Sequence, residues 1–226
     1  LRRQRQMCIR DRTGLEQFEL SIPDSPNTCV AILPTSDYSD RLIGSEIVEA
    51  GHMKPLRKNA FSSGRYAVHL AQNELGLEPS EILAIGRRPI WPAGQVGAIT
   101  HSNDVAAAIV SCDLLSVGMD IERLGRIKEK LYDKFFTPSE LASINEMTDW
   151  EVETIIFSAK ESIYKAIYFI VQRYVKFKEV ELTLNAEDSS FSVSYIGENM
   201  MSLRNLETRG YWSVCKDHVL TAVEIR

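Results

Sequence analysis

Two carboxylates stand close together in the stretch SVGMDIE, residues 116–122. If this stretch is a β-strand, Asp120 and Glu122 share one face with Gly118, because alternate side chains of a strand point to the same side. Two carboxylates at this spacing are a good start for binding a hard cation. The same D-x-E pattern is also typical of the solvated outer face of an edge strand, which is the commoner situation for such a pair alone.

The stretch FSAKESIYK, residues 157–165, combines an apolar helical pattern with three charges. At about 100° per residue, Lys160 falls inside an apolar stripe, and Glu161 and Lys165 lie at its edge, one turn apart. The stripe consists of Phe157, Tyr164, Ile167, Tyr168 and Val171. The opposite side is apolar too, so the pattern predicts a buried helix whose front end is this stretch.

Two interpretations fit these charges. In the first, Lys160 extends its apolar stem along the core and its ammonium to water, and Glu161 pairs with Lys165 within the helix, for about 0.3–0.5 kcal/mol. In the second, the start of the helix faces a polyanion, the lysines bind phosphate oxygens, and Glu161 is a third carboxylate for a metal. The upstream half supplies further cations in Arg57, Lys58, Arg65, Arg87 and Arg88, and a histidine in His101.

The composition of the chain excludes several classes of protein. The chain has 226 residues, 44% hydrophobic and 25% charged, with a net charge of −5, so it lacks the basic field of a typical nucleic-acid binder. Its longest strongly apolar run, VAAAIV, is too short to span a bilayer, and its four cysteines are scattered in a way that favours reduced thiols in a cytosol. Residues 1–12, LRRQRQMCIRDR, hold five arginines without an apolar segment, and we expect them to be extraneous or disordered.

The elements that must position these residues form an α+β pattern. We expect a strand in CVAILPTS that ends at Pro34, a helix over 56–76, and a loop in RRPIWPAG. Strands follow in VGAITHS, VAAAIVS and LLSVGMDIE, with hairpin turns at SND and CDLL between them. The motif TPSE, residues 137–140, predicts a helix start in which Thr137 is the N-cap and Glu140 closes a capping box.

The last third of the chain predicts four more strands. VKFKEVELTL and SSFSVSYI form one hairpin, and YWSVCKDHVLTAVEI forms two final strands around Lys216–Asp217. A long helix followed by three strands would then occur twice, around 56–121 and 157–225. We therefore predict two similar subdomains with pseudo-twofold symmetry, over residues 13–113 and 114–226.

Three of these motifs occur in an order that resembles a known family. RRPIWPAGQVGAITHS, SVGMDIE and FSAKESIYKA together resemble the 4'-phosphopantetheinyl transferases, in the larger, pseudo-dimeric type that includes enterobactin synthase component D. The WP-x-G-x-x-G element and Phe157 favour that subgroup. The usual Ser-Ile-Ser-His of the family is here Ala98-Ile99-Thr100-His101.

The resemblance implies an activity. Members transfer the phosphopantetheine arm of coenzyme A to a serine of an apo carrier protein, with Mg²⁺ on the pyrophosphate, and release adenosine 3',5'-bisphosphate. By this resemblance the magnesium ligands are Asp120, Glu122 and Glu161. Lys160 and Lys165 bind the pyrophosphate, and Glu161 and Lys165 are the catalytic residues, with Glu161 the candidate base. The cradle for the nucleotide and the 3'-phosphate consists of Arg57 with Lys58 beside it, Arg65, Arg88, Thr100 and His101.

Two other classes remain open from the residues alone. A magnesium-dependent phosphohydrolase also uses carboxylates and lysines, and a degenerate relative could bind coenzyme A or carrier proteins as a scaffold, although a scaffold needs no metal ligands. The carrier can belong to fatty-acid, polyketide or peptide-synthetase assembly, and the subgroup favours siderophore (enterobactin) synthesis. We expect a cytoplasmic monomer without nucleic-acid or membrane partners, because two similar halves can replace a dimer.

Overall fold

The structure of the chain is a computed structural model that describes residue 20 and residues 25–86, 88–146, 152–198 and 200–226. The expectation for residues 1–12 concerns a part of the chain outside these ranges. The chain divides into two compact units, the first ending at Leu114 and the second beginning at Leu115. Within the described ranges, every helix is too short or too polar to cross a membrane.

The first unit places one long helix on an antiparallel sheet. Its elements are β1 (Thr28–Pro34), α1 (Ser45–Gly51), α2 (Pro55–Glu74), β2 (Leu83–Ile85), β3 (Arg88–Ile90), β4 (Val96–His101) and β5 (Val105–Ser111). The sheet has the order β1-β5-β4, and β2 and β3 pair separately. Ala67, Val68 and Ala71 of α2 pack with the buried side chains of β1 and β5, so the apolar face of α2 covers this sheet.

The second unit repeats this plan with a larger sheet. Its elements are β6 (Ser116–Arg123), α3 (Tyr132–Phe135), α4 (Pro138–Glu146), α5 (Val152–Val171), β7 (Val180–Asn185), β8 (Ser190–Tyr195), α6 (Met201–Arg204), β9 (Thr208–Cys215) and β10 (His218–Ile225). The strand order is β6-β10-β9-β8-β7, antiparallel throughout. Ile155, Ile163 and Ile167 of α5 lie in the core, with buried residues of β10 beside them.

The repeat begins with a strand and not with a helix. Each unit runs strand, long helix, hairpin and two further strands, and the first strand of each pairs with the last. The hairpin predicted at CDLL is therefore wrong, because β6 leaves the first sheet and pairs with β10 over eight residues, from Ser116↔Ile225 to Arg123↔His218. The third strand of the first sheet is β1, which precedes the helix.

Local signals agree with several predicted elements. The capping box is confirmed, since Thr137 N donates to Glu140 Oε2 at 2.8 Å and Glu140 N donates to Thr137 Oγ1 at 3.3 Å. The final turn at Lys216–Asp217 is confirmed as well, with Lys216 at a φ of 53° between β9 and β10. The loop predicted in RRPIWPAG contains β3, whose three residues are too few to show an alternating pattern. FSAKESIYK lies inside α5 and not at its start, because buried Val152, Ile155 and Ile156 extend the helix upstream.

Candidate active site

Strand β6 and helix α5 are in close contact at Gly118. A Cβ atom there would lie 1.8 Å from the carbonyl oxygen of Ser162 and 3.0 Å from the nitrogen of Ala166. Ser116 Oγ also donates to the carbonyl of Ala166 at 2.7 Å. Only glycine fits the strand at this contact. The face of β6 that carries Gly118 therefore lies directly under α5.

Asp120 and Glu122 follow Gly118 on the same face, and both are buried, with relative exposures of 6% and 8%. The alternative of a solvated outer face is wrong. β6 is the edge strand of its sheet, as that alternative requires. Its charged face is covered by α5: Ser158 Oγ donates to Asp120 Oδ2 at 3.1 Å, and Lys165 Nζ donates to Asp120 Oδ1 at 2.8 Å.

Glu161 of α5 completes a group of three interacting carboxylates. Burial raises the pKa of Glu161, and the negative charges of Asp120 and Glu122 raise it further, against the opposing effects of Lys165 and Arg126. Burial likewise raises the pKa of Glu122, with the charge of Asp120 acting in the same direction. Burial and the mutual repulsion of the carboxylates therefore disfavour their ionised forms, and a bound cation would relieve this.

Two cations contact this group. Lys165 Nζ donates to the carbonyl of Met119 at 2.8 Å as well as to Asp120, and its side chain is 31% exposed. These two bonds hold Lys165 against β6. Lys165 is therefore not in the ion pair with Glu161 that the spacing of four residues along a helix would allow. Arg126 Nη1 pairs with Glu122.

Sequence reasoning missed Arg126. It follows Glu122 by four residues, yet the intervening chain is a strand end and a turn in which Gly125 has a φ of +71°. The pairing therefore could not be read from helical spacing. The available signal was an arginine shortly after a D-x-E strand.

Lys160 lies on a different side of α5 and is fully buried. Its Nζ bonds to Glu140 Oε2 at 2.6 Å, to the carbonyl of Phe135 at 3.0 Å and to the carbonyl of Phe177 at 2.8 Å. An ammonium group has three N–H donors, and three acceptors take them. We therefore correct one expectation, since Lys160 does not extend to water. Its three donors are engaged in this structure, so we propose a structural role in place of the predicted contact with a pyrophosphate.

The donor set of the three carboxylates suits a hard divalent cation. Mg²⁺ prefers oxygen ligands, and Asp120, Glu122 and Glu161 supply carboxylate groups that interact with one another. In the recorded conformation, no three such side chains of the described residues stand in a geometry that holds a metal ion. Lys165 and Arg126 contact Asp120 and Glu122 instead, so a metal site here requires these side chains to rearrange.

In the first unit, α2 carries two of the predicted cations. Arg57 is exposed, whereas Arg65 is buried, with its guanidinium 4.6 Å from the ring centre of Phe61 and its Nε 3.8 Å from Glu46. Burial lowers the pKa of Arg65, the charges of Glu46 and Glu49 oppose this, and the charge of Arg57 adds a smaller lowering. Arg65 thus lies beside a carboxylate, but its buried Nε makes no hydrogen bond to the described residues.

The remaining predicted residues lie on strands of the first unit. Arg88, half-buried, begins β3, and Thr100 and His101 end β4. Ile99 contacts α2, because a Cβ on Gly64 would lie 2.7 Å from its Cγ2. Thr100 therefore points to the opposite face, where it is buried, and His101 is exposed.

The WP-x-G-x-x-G element has a packing reason in the same unit. A Cβ on Gly97 would lie 2.4 Å from the indole ring of Trp91, so the ring packs directly on the backbone of β4. The glycine is required by this contact. The motif thus fixes the strand that ends at Thr100 and His101.

Comparisons with known proteins agree with these motifs. Residues 46–111 match the model of the 4'-phosphopantetheinyl transferase N-terminal domain, and residues 116–223 match that of the 4'-phosphopantetheinyl transferase superfamily. The 4'-phosphopantetheinyl transferase Svp of Streptomyces mobaraensis is 31% identical over 192 residues, which cover 78% of this chain and 77% of Svp. Enterobactin synthase component D of Escherichia coli K12 is 28% identical over 154 residues, 64% of this chain and 74% of the relative.

Among solved structures, holo-[acyl-carrier-protein] synthase of Helicobacter pylori in complex with coenzyme A matches 49% of this chain and 99% of its own, at 18% identity and a TM-score of 0.40. Both units are matched by family models, and one relative above 30% identity is covered over more than two thirds of its length. The chain belongs to the 4'-phosphopantetheinyl transferase superfamily, in the larger type that carries an N-terminal domain.

Proposed function

We propose that this protein transfers the 4'-phosphopantetheine group of coenzyme A to a serine of an apo carrier protein and releases adenosine 3',5'-bisphosphate. The observation that supports this reaction most is a group of charged side chains that interact with one another between β6 and α5. The group consists of Asp120, Glu122, Glu161 and Lys165. It joins a half-buried proton acceptor, Glu161, to a cation that can bind phosphate, Lys165, and a transfer between a diphosphate and a hydroxyl needs both groups.

Asp120, Glu122 and Glu161 would hold Mg²⁺ in this proposal. When bound, the ion polarises the phosphate under attack and stabilises the negative charge of the leaving bisphosphate. The support is that burial and, after it, the charges of the neighbouring carboxylates raise the pKa of Glu122 and Glu161, and a bound cation would relieve both effects.

Glu161 accepts the proton of the attacking serine. Burial raises the pKa of Glu161 and a bound cation would lower it, so its strength as a base depends on the metal. The serine oxygen forms a bond to the phosphorus that bears pantetheine, and the bond from that phosphorus to the bridging oxygen breaks. Lys165, one third exposed, turns from Asp120 to the diphosphate and offsets the charge that develops there.

The first unit supplies the nucleotide cradle, with Arg57, Arg65, Arg88, Thr100 and His101 as its residues. The support for an anion ligand is the buried Nε of Arg65, which has no hydrogen-bond partner among the described residues. Arg88, His101 and Arg65 are assigned to the 3'-phosphate.

The partner is an apo acyl, peptidyl or aryl carrier protein, and the similarity to enterobactin synthase component D favours siderophore or peptide-synthetase assembly over fatty-acid synthesis. We place the enzyme in the cytoplasm, where the free thiols of Cys29, Cys112 and Cys215 remain reduced. The two similar units favour a monomer.

The deciding experiment incubates the protein with coenzyme A, Mg²⁺ and a panel of apo carriers, and measures the intact mass of each carrier. A gain of one phosphopantetheine supports transfer, and its absence from a carrier whose acceptor serine is changed to alanine confirms the position. Release of phosphate or of adenosine nucleotide without a mass gain identifies a phosphohydrolase. Binding of coenzyme A without either product identifies a scaffold. An Asp120→Ala variant serves as the inactive control.

A further inference from the structure

A chain of buried hydroxyl groups runs from the interior of the second unit to Asp120. Ser162 Oγ lies 2.6 Å from Thr221 Oγ1, Thr221 Oγ1 lies 2.9 Å from Ser158 Oγ, and Ser158 Oγ lies 3.1 Å from Asp120 Oδ2. The three hydroxyl residues have no exposed surface. Two of them stand one turn apart on α5, and Thr221 is the residue of β10 paired with Asp120 across the sheet.

The chemistry of the last group fixes the direction of this chain. An ionised carboxylate only accepts hydrogen bonds, so Ser158 donates its proton to Asp120. The Ser158 oxygen is then free to accept from Thr221. Ser162 has one proton for two acceptors, Thr221 Oγ1 and the carbonyl of Thr221 at 3.1 Å. The protons of Thr221 and Ser158 therefore point towards Asp120.

The two oxygens of Asp120 are held in different ways. Oδ2 is held by Ser158, which is fully buried and fixed by the chain behind it. Oδ1 is held by Lys165, whose side chain is partly exposed and leaves for the diphosphate in the proposed reaction. When Lys165 leaves, the bond from Ser158 remains and keeps Oδ1 turned outward.

We propose that Ser158 and Thr221 are positioning residues, which hold the carboxylate of Asp120 so that Oδ1 is presented to the metal. This inference rests on the proposed function. The simpler explanation is packing alone, since the close approach at Gly118 demands small side chains on α5. Alanine satisfies packing as well as serine does, so loss of the hydroxyl separates the two explanations.

The test measures Mn²⁺ binding to the purified protein without coenzyme A, by electron paramagnetic resonance of the free ion. Ser158→Ala should weaken Mn²⁺ affinity about tenfold, the usual order for a residue that orients a metal ligand. Thr221→Val keeps the shape of the side chain but removes the hydroxyl that donates to Ser158. It should weaken Mn²⁺ affinity about threefold. Thr221→Ser restores the hydroxyl and should bind as the wild type does. Ser143→Ala, which removes a surface hydroxyl of α4 bonded to Ser139, is the matched control.

The outcomes separate this inference from the proposed metal site. If Asp120→Ala abolishes Mn²⁺ binding while Ser158→Ala and Thr221→Val bind as the wild type does, the hydroxyl chain is packing only and the metal site stands. If Asp120→Ala binds Mn²⁺ normally, or the wild type binds none, the metal site is wrong and the inference falls with it. Should Ser158→Ala fail to fold, the contrast between Thr221→Val and Thr221→Ser decides the question.

Discussion

The buried pair of Lys160 and Glu140 offers the sharpest test of how α5 is used, through the substitution Lys160→Met. Both side chains have 0% exposure, and methionine fills nearly the same volume. The change leaves the Glu140 carboxylate buried without its cation, and the carbonyls of Phe135 and Phe177 without their donor. Removing one partner of a buried ion pair costs about 3–5 kcal/mol.

This loss translates into a measurable shift. For a chain of this size, 1 kcal/mol lowers the melting midpoint by roughly 2–4 °C, so Lys160→Met should melt about 6–20 °C lower. Well below that midpoint, the KM for coenzyme A should match that of the wild type. Thermal unfolding by circular dichroism and steady-state kinetics with an apo carrier measure the two effects.

Lys165→Met on the same helix is the matched control. Its ion pair with Asp120 is 31% exposed on the lysine side, and such partly exposed pairs contribute about 1 kcal/mol or less. This variant should keep its melting midpoint within about 4 °C of the wild type. It should lose kcat/KM, because the proposed contact with the diphosphate is gone.

A second substitution tests the same pair. Glu140→Gln should destabilise the wild type, since Lys160 is then buried without its counter-charge and one backbone N–H, of Thr137 or Leu182, loses its acceptor. In the Lys160→Met background the same change also removes an unpaired buried charge, so it should cost less stability than in the wild type. If Lys160→Met instead melts like the wild type and raises the KM for coenzyme A tenfold or more, Lys160 binds phosphate and its assignment as a structural residue is wrong.

Three further predictions follow from the same contacts. Glu161→Gln should abolish transfer and stabilise the fold at neutral pH on the order of 1 kcal/mol. The pKa of Glu161 is raised in the folded protein, so this carboxyl contributes stability below its ordinary pKa, and that contribution is lost as the pH rises through the raised value. Thermal melts at acid pH should therefore show no difference in stability between the variant and the wild type. Gly118→Ala should cost about 3 kcal/mol or more, because its Cβ meets the Ser162 carbonyl; a melt like that of the wild type would refute this contact. 3'-Dephospho-coenzyme A should lose at least about tenfold in kcat/KM, and Arg88→Ala should add little to that loss; equal proportional losses on both substrates would remove Arg88 from the 3'-phosphate.

The sequence alone predicted the parts of the site that depend on local spacing. Alternation along a strand put Asp120 and Glu122 on one face, and the capping signal at Thr137 placed the start of α4 correctly. The pairing of β6 with β10 could not be read in this way. It joins residues about a hundred positions apart, and the short connection at CDLL offered a local hairpin as a plausible competitor.

The two lysines of α5 show the same limit at the level of one side chain. Helical periodicity put Lys160 inside an apolar stripe, which indicates burial correctly. It could not indicate that Glu140, 20 residues earlier, would stand opposite to neutralise it. Without a known counter-charge, the sequence does not distinguish a buried lysine from a phosphate-binding one, and it therefore predicts phosphate contacts for both.

The difference between these lysines also explains why Glu161 faces the other carboxylates. Five residues separate Lys160 from Lys165, which places them about 140° apart around the helix. Lys160 ties one side of α5 to Glu140, and Ser158 and Ser162 tie another side to Thr221. A helix held on two sides cannot rotate about its axis. In the proposed reaction, Lys160 therefore has only an indirect effect: it helps to fix the orientation of Glu161, its immediate neighbour.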